Sequence, residues 1–424
     1  MKREFRDYLQ ITGHFRHYNI ACRRINISGL TKHNRGKELT MKILHTSDWH
    51  LGKMIYGRSL LDDQAYFIHT VFLPAVEQEQ PDLVILAGDI FDRQIAPVQA
   101  IRLFDEVLTF MSKQNIPFAV IAGNHDGADR IAIGASMLRN SGIYIATKAE
   151  DALLPVTVNK HNQLLQVYLL PYIEPAYVRQ WLQDDTIQGF SMAYEAVISK
   201  IEETLNSQAI NILVGHCFAA GSQTCDSEST LYVGGSGEVS PTLFQSFDYT
   251  ALGHLHSPQQ VGQQGRYSGS PLKYSFDEEH HKKSLTLLEI SKESCNFTQL
   301  PISPLHDMRT VTGTLEMLLE QGKQSPSDDY LSIELTNTTP VYMPLEQLRP
   351  YYPNVLSVHC NWLRAESSLQ TKVLREHMHN RTIDEMTVFS QFMEQICSIT
   401  PTEKDRELFL SLLTELKAEQ ETKQ

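Results

Sequence analysis

Short apolar runs recur through the chain, and each one ends directly in a cluster of polar side chains. A continuous apolar run of three or four residues is typical of a strand that is buried on both faces of a sheet. The five runs span 42–44, 83–86, 118–121, 212–214 and 249–252. Because ligand sites of open α/β sheets lie beyond the carboxyl ends of the strands, we expect the five polar clusters to meet at one edge of a sheet.

Helical segments lie between these predicted strands. Apolar residues recur at intervals of three and four over 60–80 and 98–114, and a third helix is predicted over 193–205. Segments 265–271 and 284–290 are predicted to form later, antiparallel strands. The alternation predicts an α/β fold, in which a layered β-sheet core is flanked by helices.

The pattern changes after this core. Strands predicted at 330–335 and 355–359 alternate with short helices at 315–320 and 345–349, which indicates a small α+β domain. Two helical stripes follow, and their apolar positions are Met386, Phe389, Phe392, Met393 and Ile396, then Leu408, Phe409, Leu412, Leu413 and Leu416. We therefore divide the chain into an extension (1–40), a core domain (41–305), a small α+β capping or DNA-binding domain (306–365) and a C-terminal helical region for docking a partner (366–424).

The first 40 residues differ from the rest in charge. They hold nine Lys and Arg against three Asp and Glu, whereas the whole chain carries a net charge of −13. They lack the apolar segment of a secretory signal, and Met41 begins the first predicted strand. We expect either that translation starts at Met41 or that residues 1–40 form a disordered extension.

Composition narrows the functional classes. No segment approaches the roughly 18 consecutive apolar residues of a membrane span, so we expect no membrane association. The six cysteines are scattered without C-x-x-C spacing, which argues against a disulfide framework or a structural zinc and favours a reducing cytoplasm. An acidic chain is atypical of nucleic-acid binding, but DNA is not excluded as a substrate, because bound divalent cations change the local sign of charge.

The polar clusters carry the donor types of a metal site. They contribute Asp48, His50, Asp89, Asn124, His216, His254 and His256. Oxygen and imidazole donors without a thiolate suit Mn, Fe or Zn better than Ca. Two divalent ions about 3.5–4 Å apart can activate water and clamp a phosphate. The sequence therefore predicts a dinuclear metal site for phosphoester hydrolysis, with Asp89 as the candidate bridging ligand.

The five clusters match, in order, the signature of the calcineurin-like metallophosphoesterases. The matching segments are Asp48-x-His50, Gly88-Asp89-x-x-Asp92, Gly123-Asn124-His125-Asp126, Gly215-His216 and Gly253-His254-x-His256. Within that superfamily, residues 41–424 resemble the nuclease subunits of bacterial DNA-repair complexes, with further matching segments at 46–52, 88–93 and 267–271.

This resemblance implies roles for individual residues. The first ion would be held by Asp48, His50, Asp89 and His256, and the second by Asp89, Asn124, His216 and His254. His125 would protonate the leaving group, and Asp92 would orient His125. Both ions are expected to be Mn²⁺.

The resemblance also implies a substrate and partners. Double-stranded DNA ends and hairpins would be cut by exonuclease and endonuclease action during repair, recombination and replication. An SMC-like ATPase would act with the chain, which itself has no G-x-x-x-x-G-K-[S/T] motif. The expected assembly is a homodimer within a heterotetramer, in the cytoplasm at the bacterial nucleoid.

Two other functions are compatible with the same motifs. One is a phosphatase or phosphodiesterase of the superfamily, although Gln94 and Asp126 stand where the protein-phosphatase signature has Gly and Glu. The other is a DNA-tethering scaffold in which cleavage is secondary.

Several charged residues have alternative interpretations. Asp92, Asp126 and Arg93 could be local ion pairs or caps rather than catalytic groups. Residues 280–283 are predicted to be a solvated hairpin turn. The C-terminal stripes could face the core or dock on the ATPase. Four basic residues near the motifs could contact DNA phosphates or be isolated surface charges: Lys53, Arg58, Arg130 and Lys273.

Overall fold

The computed structural model describes residues 40–228, 237–360 and 400–421, together with Met386, Phe389, Ser390 and Met393. The predicted extension 1–40, apart from Thr40, and Phe392 and Ile396 of the first C-terminal stripe therefore lie outside the described residues.

Strands make up most of the core. In chain order they are β1 (Met41–Thr46), β2 (Met54–Ile55), β3 (Arg58–Ser59), β4 (Leu83–Ala87), β5 (Phe118–Ile121), β6 (Ile143–Ala146), β7 (Val156–Lys160), β8 (Gln163–Leu170), β9 (Ile210–His216), β10 (Phe218–Ala219), β11 (Glu238–Val239), β12 (Tyr249–Gly253), β13 (Gln259–Val261), β14 (Gly265–Tyr267), β15 (Ser284–Ile290), β16 (Cys295–Pro301), β17 (Met308–Gly313), β18 (Tyr330–Leu335) and β19 (Val355–Cys360).

Helices connect and cover these strands. They are α1 (Leu61–Tyr66), α2 (Leu73–Glu79), α3 (Val98–Gln114), α4 (Ala128–Ile131), α5 (Ala135–Leu138), α6 (Pro175–Leu182), α7 (Gly189–Glu202), α8 (Leu315–Gln324), α9 (Pro344–Leu348) and α10 (Glu403–Glu421). A π-helical segment, Phe67–Phe72, joins α1 to α2, and 3-10 turns lie at Arg139–Ser141, Ala149–Leu153, Pro241–Phe244 and Phe276–Glu278.

Two six-stranded mixed sheets form the core. The first has the order β16-β15-β1-β4-β5-β6, and β1, β4, β5 and β6 are parallel. The second has the order β13-β14-β12-β9-β8-β7, and β14, β12, β9 and β8 are parallel. In the first sheet antiparallel β15 and β16 border the parallel strands on one side and parallel β6 is the other edge, whereas in the second sheet antiparallel β13 and β7 form both edges.

The sheets pack face to face because their strands are apolar on both sides. Ile43 and Ile85 of the first sheet share a buried cluster with Val214 and Ala251 of the second. Their neighbours along the strands point outward, so that Leu44 packs under the helices between residues 61 and 114. On the far side of the second sheet, strand residues pack with Tyr194 and Val197 of α7. The result is four layers, helix–sheet–sheet–helix.

A smaller unit follows the core. Strands β17, β18 and β19 form a parallel three-stranded sheet, and α8 and α9 connect them. Leu318, Leu331, Ile333 and Leu348 belong to its separate apolar cluster. The strand and helix order expected for this region is confirmed.

The structure confirms the layered α/β core and corrects three details. Helix 98–114 has the predicted limits, whereas the segment 60–80 contains the π-helical stretch. The expectation of one sheet is wrong, because the five apolar runs are divided between two sheets. Of 265–271, only β14 is a strand, and it is parallel to β12 and antiparallel to β13.

The described helices give no sign of a membrane span. None of them combines the required length with enough apolar character to cross a bilayer.

Candidate metal centre

The polar residues that follow five strands lie at one edge shared by the two sheets. Asp48 and Asp89 follow β1 and β4 of the first sheet, whereas His216 ends β9 of the second. Ligand-type atoms of Asp48, His50 and His256 lie within 4.8 Å of one another, and so do those of Asp48, Asp89 and His216. The structure therefore brings together the residues that the sequence singled out, although they come from two sheets.

The loops after β1 and β4 continue the pairing of those parallel strands. The Asp48 N–H donates to the Gly88 carbonyl at 3.1 Å, and the His50 N–H donates to the Asp89 carbonyl at 2.9 Å. Asp48, His50 and Asp89 have φ angles of 54°, 43° and 50°. Left-handed backbone is uncommon outside glycine and clusters at functional sites, where the surrounding contacts maintain it. Here the interloop hydrogen bonds supply those contacts.

The loops after β5 and β12 complete the other side of the centre. The Asn124 side-chain Oδ1 lies 3.0 Å from Nε2 of His216 and 3.0 Å from Nδ1 of His254. The His254 N–H donates to Asp48 Oδ1 at 2.9 Å. Asp89 Oδ2 lies 3.4 Å from Nε2 of His216. Asn124, His216 and His254 thus form a group beside Asp89.

Close approach of the loops depends on two glycines. A Cβ atom at Gly253 would lie 1.8 Å from the Ala87 carbonyl oxygen, and one at Gly123 would lie 2.1 Å from Asp89 Oδ1. Neither distance is possible for real atoms, so any side chain here would push the strand ends apart. Glycine at these positions allows the two sheets to meet at the centre.

The orientation of the imidazoles favours a shared cation. Nε2 of His50 and Nε2 of His256 lie 3.2 Å apart in a buried position. The His216 Nδ1–H donates to the Ala87 carbonyl at 2.9 Å, which leaves the Nε2 lone pair for a ligand. Among the described residues, Asp48 Oδ2 is buried without a hydrogen-bond partner. An unsatisfied buried carboxylate oxygen is costly, and a metal ion would satisfy it.

Neighbouring histidines keep the buried carboxyl of Asp89 in its charged form. Burial opposes ionisation of Asp89, but His216 and His50 hold the pKa of this carboxyl well below its usual range. Burial also opposes a charge on His216, yet Asp89 and Asp48 raise the pKa of His216 to about 9. Burial lowers the pKa of His254 to about 3, so this imidazole is neutral at pH 7. The neutral imidazole of His254 beside an ionised carboxylate matches what a divalent cation needs, and the proton held by His216 would be released when a cation binds.

His125 lies at the rim of the centre. Its backbone N–H donates to Asp89 Oδ1 at 2.9 Å, and its ring meets that of His50 edge to face at 4.7 Å. The His125 Nδ1–H donates to the backbone carbonyl of Asp92 at 2.8 Å. The Asp92 carboxylate instead accepts from Lys53 Nζ at 2.9 Å. Asp92 is thus placed to orient His125, through its main chain.

Asp126 connects the loops and lies outside the ligand clusters described above. Its carboxylate accepts from the backbone N–H groups of Gly123, Ile90 and Phe91 at 2.9, 3.1 and 2.9 Å. These contacts favour the interpretation of Asp126 as a cap. Arg93 Nη2 lies 3.8 Å from Asp92 Oδ2 and is more than half exposed.

The structure corrects the interpretation of several basic residues. Lys283 is not part of a solvated turn, because only 7% of it is exposed and its Nζ lies 2.5 Å from Glu278 Oε2. Lys53 pairs with Asp92, and Lys273 Nζ lies 2.8 Å from Asp307 Oδ1. These three lysines are therefore engaged within the protein.

Sequence reasoning missed the residues that support the ligand loops. Gln64 Nε2 donates to the His50 carbonyl at 2.7 Å, and its Oε1 accepts the Gly52 N–H at 2.9 Å. The Tyr274 hydroxyl donates to the Trp49 carbonyl at 2.6 Å. In the sequence, the supporting role of Gln64 was indicated by a glutamine inside an otherwise apolar helix face. Nothing in the sequence marked Tyr274.

Comparisons with known proteins found matches over most of the chain. A family model described as calcineurin-like phosphoesterase matches residues 41–258, and one described as type 5 capsule protein repressor C-terminal domain matches residues 304–396. The SbcD subunit of the nuclease SbcCD from Staphylococcus epidermidis is 34% identical over 322 residues, which is 75% of this chain and 85% of that protein. The crystal structure of TT1561 of Thermus thermophilus aligns at 13% identity with a TM-score of 0.36, covering 61% of this chain and 99% of that chain.

Proposed function

This chain belongs to the calcineurin-like phosphoesterases and, among them, to the SbcD nucleases, and on that premise we propose that it is the metal-dependent nuclease subunit of an SbcCD-type complex. It hydrolyses DNA phosphodiesters at a centre that binds divalent metal. The observation that carries the proposal is the presence, at the shared edge of the two sheets, of two groups of possible metal ligands that have Asp48 in common: Asp48, His50 and His256, and Asp48, Asp89 and His216.

Two ions are held by this centre, with Mn²⁺ as the metal. The ligands of the first ion are Asp48, His50, Asp89 and His256, and those of the second are Asp89, Asn124, His216 and His254. The unpartnered Oδ2 of Asp48 and the facing Nε2 atoms of His50 and His256 support the first position. The contacts of Asn124 Oδ1 with His216 and His254 support the second. Mixed oxygen and imidazole donors fit Mn²⁺.

The residues around the ions carry the acid–base chemistry. When bound, a pair of divalent ions supplies an activated water and neutralises charge on the phosphoryl oxygens. His125 lies at the rim with Nδ1–H bound to the Asp92 carbonyl; in its doubly protonated form it donates the Nε2 proton to the leaving oxygen and keeps the Nδ1 proton. Asp92 orients His125 through that carbonyl, and its carboxylate holds Lys53 at the same rim.

The substrate is double-stranded DNA ends and hairpins, and the partner is an SMC-like ATPase. The C-terminal region 366–424 docks on this partner, and 306–365 caps the nuclease domain 41–305. Exposed apolar side chains of α10 support docking, since Leu408, Leu410 and Leu412 are 60%, 49% and 50% exposed. Phe409 of the same helix stacks on Phe389 at 4.3 Å, so the two predicted stripes meet there.

A homodimer within a heterotetramer completes the assembly, in the bacterial cytoplasm at the nucleoid. A set of exposed apolar residues supports self-association. Each is at least half exposed: Ile95, Val98, Ile101, Ile133 and Met137. Sedimentation of Ile133→Glu and Met137→Glu variants tests this surface, because a charge in a self-association interface should yield monomers.

The direct test is cleavage of an end-labelled duplex in Mn²⁺, with His125→Ala compared at matched metal content and a phosphomonoester assayed in parallel. Duplex cleavage that is lost in His125→Ala supports the nuclease. Faster hydrolysis of the monoester than of the duplex would favour a phosphatase. A His125→Ala protein that lacks cleavage yet sustains DNA repair in cells would favour a tethering scaffold.

A further inference from the structure

A chain of buried polar groups lies behind His256, on the side away from His50. The Ser227 hydroxyl oxygen lies 2.6 Å from His256 Nδ1 and 2.5 Å from Glu278 Oε1. Glu278 Oε2 in turn lies 2.5 Å from Lys283 Nζ. Glu278 is fully buried and Lys283 is 7% exposed. A buried ion pair is thus connected to a candidate metal ligand through the Ser227 hydroxyl, and His256 Nδ1 also lies 3.4 Å from Glu278 Oε1.

The directions of these hydrogen bonds follow from the number of protons available. The Lys283 ammonium and the Tyr274 N–H, 3.1 Å from Oε1, both donate to Glu278, which therefore acts as a carboxylate acceptor. The single proton of the Ser227 hydroxyl then goes to Glu278. His256 Nδ1 must consequently donate to Ser227, so its Nε2 carries the lone pair and faces Nε2 of His50.

The backbone of His256 is held by the same cluster. Its carbonyl accepts from Lys283 Nζ at 2.8 Å, and its N–H donates to Glu228 Oε1 at 2.6 Å. Lys283 Nζ also donates to Ser270 Oγ at 2.8 Å. The ring and the main chain of His256 are therefore positioned together by groups from outside the five motifs.

His256 differs in this respect from the other imidazole of the first ion position. Among the described residues, Nδ1 of His50 is buried without a hydrogen-bond partner. The two Nε2 atoms face each other, but the second nitrogen of His256 has a hydrogen-bond partner at 2.6 Å, whereas the carboxylate oxygen Asp92 Oδ1 is 3.8 Å away from His50 Nδ1. The geometry of the first position therefore depends on the cluster behind His256.

We propose that Ser227, Glu278 and Lys283 are positioning residues that set the tautomer and orientation of His256, and thereby the affinity of the first metal position. This inference rests on the proposed role of His256 as a ligand. Partners of a ligating histidine fix its tautomer and increase its basicity, and their loss typically lowers metal affinity by about 10–100-fold.

The test is calorimetric titration of the full chain with Mn²⁺ alone. In Ser227→Ala we expect one of the two binding steps to weaken by about 10–100-fold while the other is unchanged. Ser199→Ala, which removes an exposed hydroxyl on α7, is the matched control and should bind like wild type. Ser227→Thr keeps the hydroxyl and should restore most of the affinity. Unaltered binding by Ser227→Ala would overturn the inference.

A second variant tests the carboxylate. Glu278→Gln should weaken the same binding step as Ser227→Ala, whereas Glu293→Gln, at an exposed turn, should change neither step. His256→Ala distinguishes a failure of the ligand assignment from a failure of the positioning role. If His256→Ala binds both ions like wild type, the ligand assignment fails. If it loses one ion while Ser227→Ala and Glu278→Gln bind normally, only the positioning role fails.

Discussion

The imidazole of His125 is tied to Asp92 through the main chain, with His125 Nδ1 2.8 Å from the Asp92 carbonyl oxygen. The Asp92 carboxylate points to Lys53 instead. A change of the side chain at position 92 should therefore leave the orientation of His125 unaltered. Two substitutions can test this.

Asp92→Asn should leave His125 in place, because the backbone carbonyl that accepts from Nδ1 is retained. The substitution weakens the ion pair with Lys53, so we expect duplex cleavage to fall by less than about tenfold, well below the effect of losing a general acid. Single-turnover cleavage at saturating Mn²⁺ measures this. A loss as large as that of His125→Ala would mean that the carboxylate itself takes part.

His125→Ala should slow cleavage by about 100–10,000-fold, the range associated with a lost proton donor. Metal content should be retained, because the backbone N–H at position 125, which binds Asp89 Oδ1, remains in the variant. Elemental analysis alongside the cleavage rate separates the two effects. Loss of metal would show that His125 contributes to the ion positions.

His254→Ala should remove one of the two bound ions. Its ring lies next to Asn124 and its pKa is lowered to about 3 by burial, so the neutral nitrogen is available to a cation at every pH of interest. We expect the Mn²⁺ stoichiometry to fall from two to one and hydrolysis to be abolished. Retention of both ions would contradict the assignment of His254 as a ligand.

Gly253→Ala should disrupt the centre by steric overlap. Its Cβ would lie 1.8 Å from the Ala87 carbonyl oxygen, so β12 and β4 must separate, and we expect a loss of about 1–3 kcal/mol or more in the free energy of unfolding. Gly215→Ala is the matched control, because its Cβ would meet only Leu252 Cδ2 at 3.4 Å. Denaturant unfolding and Mn²⁺ affinity of both variants measure the difference, and equal behaviour would refute the steric argument.

Stability should depend on pH through a contact between the core and the small domain. His306 Nδ1 lies 2.9 Å from Asp63 Oδ1, and this hydrogen bond raises the pKa of His306. A raised pKa stabilises the fold below the unfolded value of about 6.5, and that contribution is lost as pH rises through the folded pKa. The difference in unfolding free energy between wild type and His306→Gln should therefore be larger at about pH 6 than at about pH 9. An equal difference at both would exclude this origin.

Local pattern predicted the elements that carry the chemistry. Val98–Gln114 was found with its observed limits because its apolar spacing, with Phe104, Val107 and Met111 buried, is a local property. Asp48 and Asp89 were found because each directly follows a continuous buried run.

Nonlocal pairing could not be predicted in the same way. Lys283 resembled a solvated turn residue because its burial depends on Glu278, whose carboxylate is directed inward by Tyr274 and Ser227. The division into two sheets was also hidden, since Val84 and Leu213 belong to equally apolar strands in different layers. Strand order is decided by packing partners, which the alternation of residues along a single strand does not specify.

On the proposed ligand assignment, ions bound at the shared edge would link two independently hydrogen-bonded sheets. Asp48 and Asp89 extend from one sheet and His216 and His254 from the other, so any slippage of the layers pulls donor atoms away from the cation. The rate at which a chelator removes the metal would then report how often the two sheets move apart. A mutation buried far from the edge, at the Ile85–Val214 interface, would therefore change the rate of metal release without altering any ligand.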